Sequence, residues 1–100
     1  MLLYNVTIGI DKEIEQEWLV WMKEQYLPVV MKTEMFTDWK MYKVLHDQDE
    51  GSVSYSVQYF AADIQEVVQF VEQFEPELNK AFQNRFKDRH VAFRTLLEEI

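Results

Sequence analysis

Cysteine is absent from the 100-residue chain, which excludes disulfides and thiolate chemistry and removes the usual ligands of a structural zinc site. A chain without disulfides fits a reducing compartment, so a cytoplasmic protein is expected. Glycine and proline occur only twice each; long flexible linkers are not expected, and residues 1–100 are read as one domain. Basic residues are also few. Ten Lys and Arg against 18 Asp and Glu leave a net charge of −8, whereas nucleic acid is held by clustered Lys and Arg, so it is not an expected partner. No apolar run approaches the roughly 20 residues of a membrane-crossing helix. The opening stretch from Met1 to Thr7 lacks the basic segment of a signal peptide and passes directly into a strand pattern. His46 and His90 are the two histidines, and neither stands at a metal-ligand spacing from a carboxylate. There is no glycine-rich phosphate loop and no nucleophile motif, so neither a cofactor nor a metal is expected.

What is present is apolar and aromatic. Hydrophobic residues make up 48% and aromatics 15% of the chain, enough for a packed core and incompatible with disorder. The clearest pattern is Ser52–Phe60, where Val53, Tyr55, Val57 and Tyr59 alternate with Ser52, Ser54, Ser56 and Gln58. Period-two alternation in β-forming residues predicts a strand with one apolar and one polar face. The first strand repeats the plan: Leu2, Tyr4, Val6, Ile8 and Ile10 against Leu3, Asn5, Thr7 and Gly9. Asp11 is placed to cap a following helix, on which Ile14, Trp18, Trp21, Met22 and Tyr26 recur at helical spacing. Pro28 should kink or restart that helix.

A strand from Met35 or Phe36 to His46 carries Trp39, Met41, Lys43 and Leu45 on one side and Lys40, Tyr42, Val44 and His46 on the other, a composition suited to a sheet edge. Asp47–Gly51 is an acidic turn closing a hairpin. Asp63 is a second helix cap, followed by Ile64, Val67, Val68, Val71 and Phe74, and Pro76 opens a further segment carrying Leu78, Phe82 and Phe86. Lys80, Arg85, Lys87 and Arg89 gather near the end of that helix, where they complement its negative pole; an anion site is the rival reading. The last strand, His90–Glu98, sets Val91, Phe93, Thr95 and Leu97 against His90, Ala92, Arg94 and Leu96.

The order strand–helix–strand–strand–helix–strand predicts an α+β, ferredoxin-like β-α-β-β-α-β sandwich: four antiparallel strands with the helices on one face. In that arrangement the first and third strands are central and the fourth lies beside the first. The expected helix-facing layer is Tyr4, Val6, Ile8, Val53, Tyr55, Val57, Tyr59, Val91, Phe93 and Leu97. The open face would gather Asn5, Thr7, Ser54, Ser56, Gln58 and Arg94 with Leu3, Ala92 and Leu96. Solvated sheet faces usually carry Lys and Glu. This one is small, uncharged but for Arg94, and partly apolar, so a second copy of the chain is the expected cover.

Four stretches carry a resemblance: Tyr4–Thr7, Glu17–Lys23, Tyr55–Tyr59 and Val91–Leu97. They resemble the domain-of-unknown-function family 4286, short bacterial proteins common in Bacteroidetes. The resemblance spans almost the whole chain and implies a dimeric α+β barrel. It implies no activity and assigns no catalytic residue.

Two candidate sites follow. One is the polar sheet face, where Arg94 would either pair with an acid of the second copy or bind a small carboxylate or phosphate. The other is an aromatic pocket between sheet and helices, drawn from Trp18, Trp21, Tyr26, Tyr55, Tyr59, Phe74, Phe82 and Phe93. Aromatics at such spacing also make ordinary core. The expected function is a small cytoplasmic homodimer with a structural or small-molecule-binding role. A cofactor-independent monooxygenase or isomerase acting on a small hydrophobic or aromatic substrate is the first alternative. A protein-partner module using the acidic surface is the second.

Overall fold

A computed structural model describes residues 1–46 and 51–100. The strands are β1 (Leu2–Asp11), β2 (Asp38–Lys43), β3 (Ser52–Ala61) and β4 (His90–Glu98). They form one antiparallel sheet in the order β2-β3-β1-β4, as the ferredoxin-like reading expects. Alternation in β1 and β3 is resolved as anticipated. Tyr4, Val6, Ile8 and Ile10 of β1 and Val53, Tyr55, Val57, Tyr59 and Ala61 of β3 are all buried, and their register pairs Tyr4 with Tyr59, Val6 with Val57 and Ile8 with Tyr55. The acidic turn expected over Asp47–Gly51 lies outside the described residues apart from Gly51, whose φ of 90° is in the left-handed region that glycine enters freely.

The helices cover one side of the sheet in two broken arms. The first runs through a 3-10 turn (Lys12–Ile14), α1 (Glu15–Trp21), a π-helical turn (Met22–Tyr26) and α2 (Leu27–Lys32). The second runs through α3 (Ile64–Gln69), a π-helical turn (Phe70–Phe74) and α4 (Glu75–Phe86). Both interruptions have the same cause. Pro28 and Pro76 each stand just after a π turn, at the start of the helix that follows. A proline ring clashes with the carbonyl four residues back, and the wider turn opens the ladder there. The backbone shows it directly: the N–H of Leu27 reaches the carbonyl of Met22, and that of Glu75 reaches Phe70, each five residues back.

Asp63 caps α3 as expected, accepting from the Gln65 N–H at 3.2 Å. Asp11 makes no such cap; its carboxylate accepts from Arg89 instead. The basic residues near the end of α4 in part reach across to the first helical arm, with Arg85 at 2.5 Å from Glu17 and Arg89 also at 3.5 Å from Glu13. With glycine so scarce, the turns after α2 and α4 place Glu34 and Asp88 at φ near 63° and 62°, positions that favour glycine.

One strand departs from expectation. β4 pairs with β1 so that Ala92 lies opposite Ile8, Arg94 opposite Val6 and Leu96 opposite Tyr4. Opposed residues share a face, so Arg94, Ala92 and Leu96 are on the helix side. Val91, Phe93 and Leu97 are on the open side, 60%, 69% and 46% exposed. Alternation separates two sets of side chains without saying which set the helices cover, and a one-residue change exchanges them. Small Ala92 and the slim stem of Arg94 fit beneath α4, where Phe93 was expected. The open face is otherwise as anticipated, carrying Leu3, Asn5, Thr7, Ser54, Ser56 and Gln58 together with Phe60, Lys40 and Tyr42.

Candidate functional site

Polar groups converge under the second helical arm. The Tyr4 hydroxyl donates from β1 to Glu75 Oε2 at 2.6 Å. Arg94, on β4, places Nε 3.3 Å from the same oxygen and donates from Nη2 to Asn79 Oδ1 at 2.9 Å. Among the described residues Glu75 is the buried charged residue of the core, 8% exposed. A carboxylate in such surroundings has to be paired and hydrogen-bonded, and Tyr4 and Arg94 do both.

The cluster borders a cavity of about 260 Å³. Tyr4, Val6 and Ile8 supply one wall, His90, Ala92 and Arg94 the next, and Phe70, Glu75, Asn79, Phe82 and Gln83 the roof, with Tyr26 and Tyr59 completing it. The volume sits near the lower end of the roughly 300–1,000 Å³ typical of small-molecule pockets. Both π turns contribute: Tyr26 ends the first, Phe70 begins the second and Glu75 follows it directly. His90 packs its ring 4.3 Å from Phe82 and holds Nδ1 at 2.9 Å from the Phe86 carbonyl oxygen.

Burial holds the phenols of the cavity in their neutral form. It raises the Tyr4 pKa, with the hydrogen bond to Glu75 adding to the effect. Tyr26 is pushed up to about 12 by burial and by the charge of Glu75. Tyr59 lies well above its ordinary value through burial, with Tyr26, Tyr4 and Glu75 as further causes. For Arg94 burial acts downward, but Glu75, Tyr4 and Tyr26 together more than offset it and the guanidinium pKa is raised.

A second tyrosine–acid–cation group stands between α1 and strands β2 and β3 on the same helix-covered face. Tyr55 donates to Glu15, and Lys43 lies 3.1 Å from the same carboxylate. The Tyr55 hydrogen bond lowers the Glu15 pKa, against burial and with help from Lys43. A carboxylate with a depressed folded pKa stabilises the fold above its unfolded value of about 4.3, and that contribution disappears as pH falls through the folded pKa. Tyr55→Phe is therefore expected to lower stability by about 2 kcal/mol at pH 7. The gap to the parent should close as the pH falls below about 4. Denaturant titrations at both pH values check this, and a gap that persists in acid would exclude Glu15 as its source.

Of the expected aromatic pocket, Tyr26, Tyr59 and Phe82 line the cavity. Trp18 and Tyr55 are packed in the core with centroids 5.0 Å apart. Trp21 packs edge-on against Phe82 and Phe86 at 5.3 and 5.1 Å, beside a surface groove between the helical arms. Phe93 lies on the opposite side of the sheet. Of the expected polar face, Asn5, Thr7, Ser54, Ser56 and Gln58 lie together. Ser56 donates to Asn5 Oδ1 at 2.5 Å, Asn5 donates to Thr7 at 3.0 Å and Gln58 to Ser56 at 3.4 Å. Arg94 is not among them; it belongs to the cavity. Tyr4, Glu75, Asn79, Gln83 and His90 were not anticipated there. Glu75 had a signal: it stands three residues before Leu78 and seven before Phe82, within the apolar stripe of α4.

A family described as a domain of unknown function (DUF4286) matches residues 1–100. The chain belongs to it. No curated protein sequence matches the chain. Solved structures of similar fold include an ethyl tert-butyl ether D (EthD) family protein from Bacillus halodurans C-125, with a TM-score of 0.68 at 14% identity over 100% of both chains. A dimeric ferredoxin-like protein from an uncultured marine organism superposes with a TM-score of 0.64 at 10% identity, covering 100% of this chain and 98% of that one. The hydroxynitrile lyase of Passiflora edulis gives 0.60 at 12% identity, over 99% and 95%. At these identities the likeness is one of fold. The DUF4286 chain thus has a ferredoxin-like α+β fold, and no helix among its described residues is long and apolar enough to cross a membrane.

Proposed function

We propose that this DUF4286 chain is a cytoplasmic, single-domain homodimer that binds a small, largely apolar molecule between its sheet and α4. The observation that carries the binding reading is the aromatic-walled cavity with the buried Glu75 carboxylate, paired with Arg94, at its edge. A buried carboxylate beside empty space is a poor way to stabilise a core, since well-packed apolar residues do as well or better. Ionisable groups with perturbed pKa values in a cleft are a feature of functional sites.

The open sheet face supports the dimer. Val91, Phe93 and Leu97 expose an apolar strip along β4, the kind of patch that marks an interaction surface. Beside it, Asn5, Thr7, Ser56 and Gln58 already hydrogen-bond one another, so covering them leaves few groups unsatisfied. A second copy laid face to face offers the same mixture in return. One structural neighbour is itself described as dimeric. Sedimentation at micromolar concentration is expected to give twice the 12.1 kDa chain mass, and Phe93→Asp is expected to give the chain mass by placing a charge at the centre of each buried strip. A parent chain that sediments as a monomer defeats the dimer. Native mass spectrometry of the purified dimer tests the ligand, which should appear as retained mass lost on denaturation.

The enzymatic reading has one observation in its favour. Glu75 and Tyr4 form a hydrogen-bonded acid–base pair at the cavity wall, within reach of a bound molecule and without need of a cofactor. A neighbour of the same fold described as a hydroxynitrile lyase is an analogy of architecture only.

A further inference from the structure

The polar groups around the cavity differ in what they have left to offer. Tyr4 has committed its hydroxyl proton to Glu75. The Glu75 charge is matched by Arg94, which also donates to Asn79. The hydroxyls of Tyr26 and Tyr59 are different. Both residues line the cavity, Tyr59 is 3% exposed, and no hydrogen bond joins either hydroxyl to another described residue. Each hydroxyl therefore keeps a proton that it can donate to a guest in the cavity.

From these positions we infer that the ligand is an uncharged, ring-sized molecule whose carbonyl or ether oxygen accepts hydrogen bonds from Tyr26 and Tyr59. This rests on reading the cavity as the ligand site. Three features agree on it. The walls are the apolar and aromatic side chains of Val6, Ile8, Phe70, Phe82 and Ala92, and the volume of about 260 Å³ suits a single ring with a short substituent. Both phenols keep their protons far above neutral pH, because burial and nearby Glu75 disfavour the phenolate, so they remain donors. The fixed charges are already paired. An anion would take Arg94 only by lying beside the Glu75 carboxylate, and a cation would reach Glu75 only by displacing Arg94; each meets a like charge at close range.

Three probes that share one ring separate the possibilities: acetophenone, benzoate and benzylammonium, titrated against the full-length protein at neutral pH by ligand-observed NMR. Acetophenone is expected to bind at least tenfold more tightly than either ion. Tyr26→Phe and Tyr59→Phe keep the walls and remove only the hydroxyls, and each should weaken acetophenone by up to about tenfold, the effect of one buried hydrogen bond. Benzoate binding more tightly than acetophenone would make Arg94 an anion receptor, and tighter benzylammonium would make Glu75 a cation site. Either result overturns the inference while leaving the cavity a ligand site, as does acetophenone binding unchanged in the Tyr26→Phe/Tyr59→Phe double variant. If none of the three binds, the cavity reading falls as well.

Discussion

Between about pH 11 and 12 the chain is expected to unfold in one step, with Tyr4, Tyr26, Tyr55 and Tyr59 ionising in that step and not before it. Burial raises the pKa of all four, assisted by Glu75 at Tyr4 and Tyr26, by Glu15 at Tyr55, and by the neighbouring phenols at Tyr59. A phenol whose folded pKa exceeds its unfolded value of about 10 binds its proton more tightly in the native state. Its stabilising contribution is complete below pH 10 and is lost as the pH rises above it, because the unfolded chain then gives up a proton that the folded chain retains. By pH 11 the loss is about 1.4 kcal/mol for each phenol that stays fully neutral, and less where solvent screens the shift, as at Tyr55. Summed over the four, it approaches the lower end of an ordinary domain's stability, about 5–15 kcal/mol. The test follows phenolate absorbance and far-ultraviolet circular dichroism together against pH, in a Tyr42→Phe background so that only these four residues contribute. Coincident transitions are the expected result. Phenolate absorbance that rises near pH 10 while the native spectrum persists would show the hydroxyls to be open to solvent.

The same four residues illustrate what could be seen in the sequence. Tyr4, Tyr55 and Tyr59 stand on the apolar side of strands whose opposite side is made of Asn, Thr, Ser and Gln. With only one apolar set to choose from, the buried face of β1 and β3 follows from period two alone. β4 offered two sets. Val91, Phe93 and Leu97 are apolar, but Ala92 and Leu96 on the other side are apolar too, and the presence of Phe93 favoured the wrong face. The error is informative. Hydrophobic alternation identifies the more apolar side without saying what covers it, and in β4 that side is turned away from the helices. The polar cavity was hidden for related reasons. Arg94 follows the misplaced face, and the only mark Glu75 carries is its place in the apolar stripe of α4. The π turns leave no mark in apolar spacing; Pro28 and Pro76 give away only that each helix is interrupted.

Removing the cation that pairs with Glu75 is expected to have the second large effect. In Arg94→Met the stem volume stays and the charge goes, leaving Glu75 with only the Tyr4 hydroxyl as a donor. Breaking a fully buried pair by removing one partner costs about 3–5 kcal/mol. The Arg94 side chain is 36% exposed and that of Glu75 11%, so solvent screens part of this, and about 2–3 kcal/mol is the expected loss. For a chain of this length that is a fall in melting midpoint of roughly 10–20 °C. Glu75→Gln added to Arg94→Met removes the stranded charge while its side-chain oxygen still accepts from Tyr4, and should recover about 1–2 kcal/mol of the loss. The cycle is read from denaturant midpoints at one fixed protein concentration, since a dimer melts in a concentration-dependent way. Strict additivity of the two substitutions would mean that the pair does not act as a unit. Recovery together with retained acetophenone binding would place the ligand's recognition on the phenols, because the double variant has lost both charges and kept Tyr26 and Tyr59. Recovery with binding lost would mean that the paired charges themselves orient the ligand.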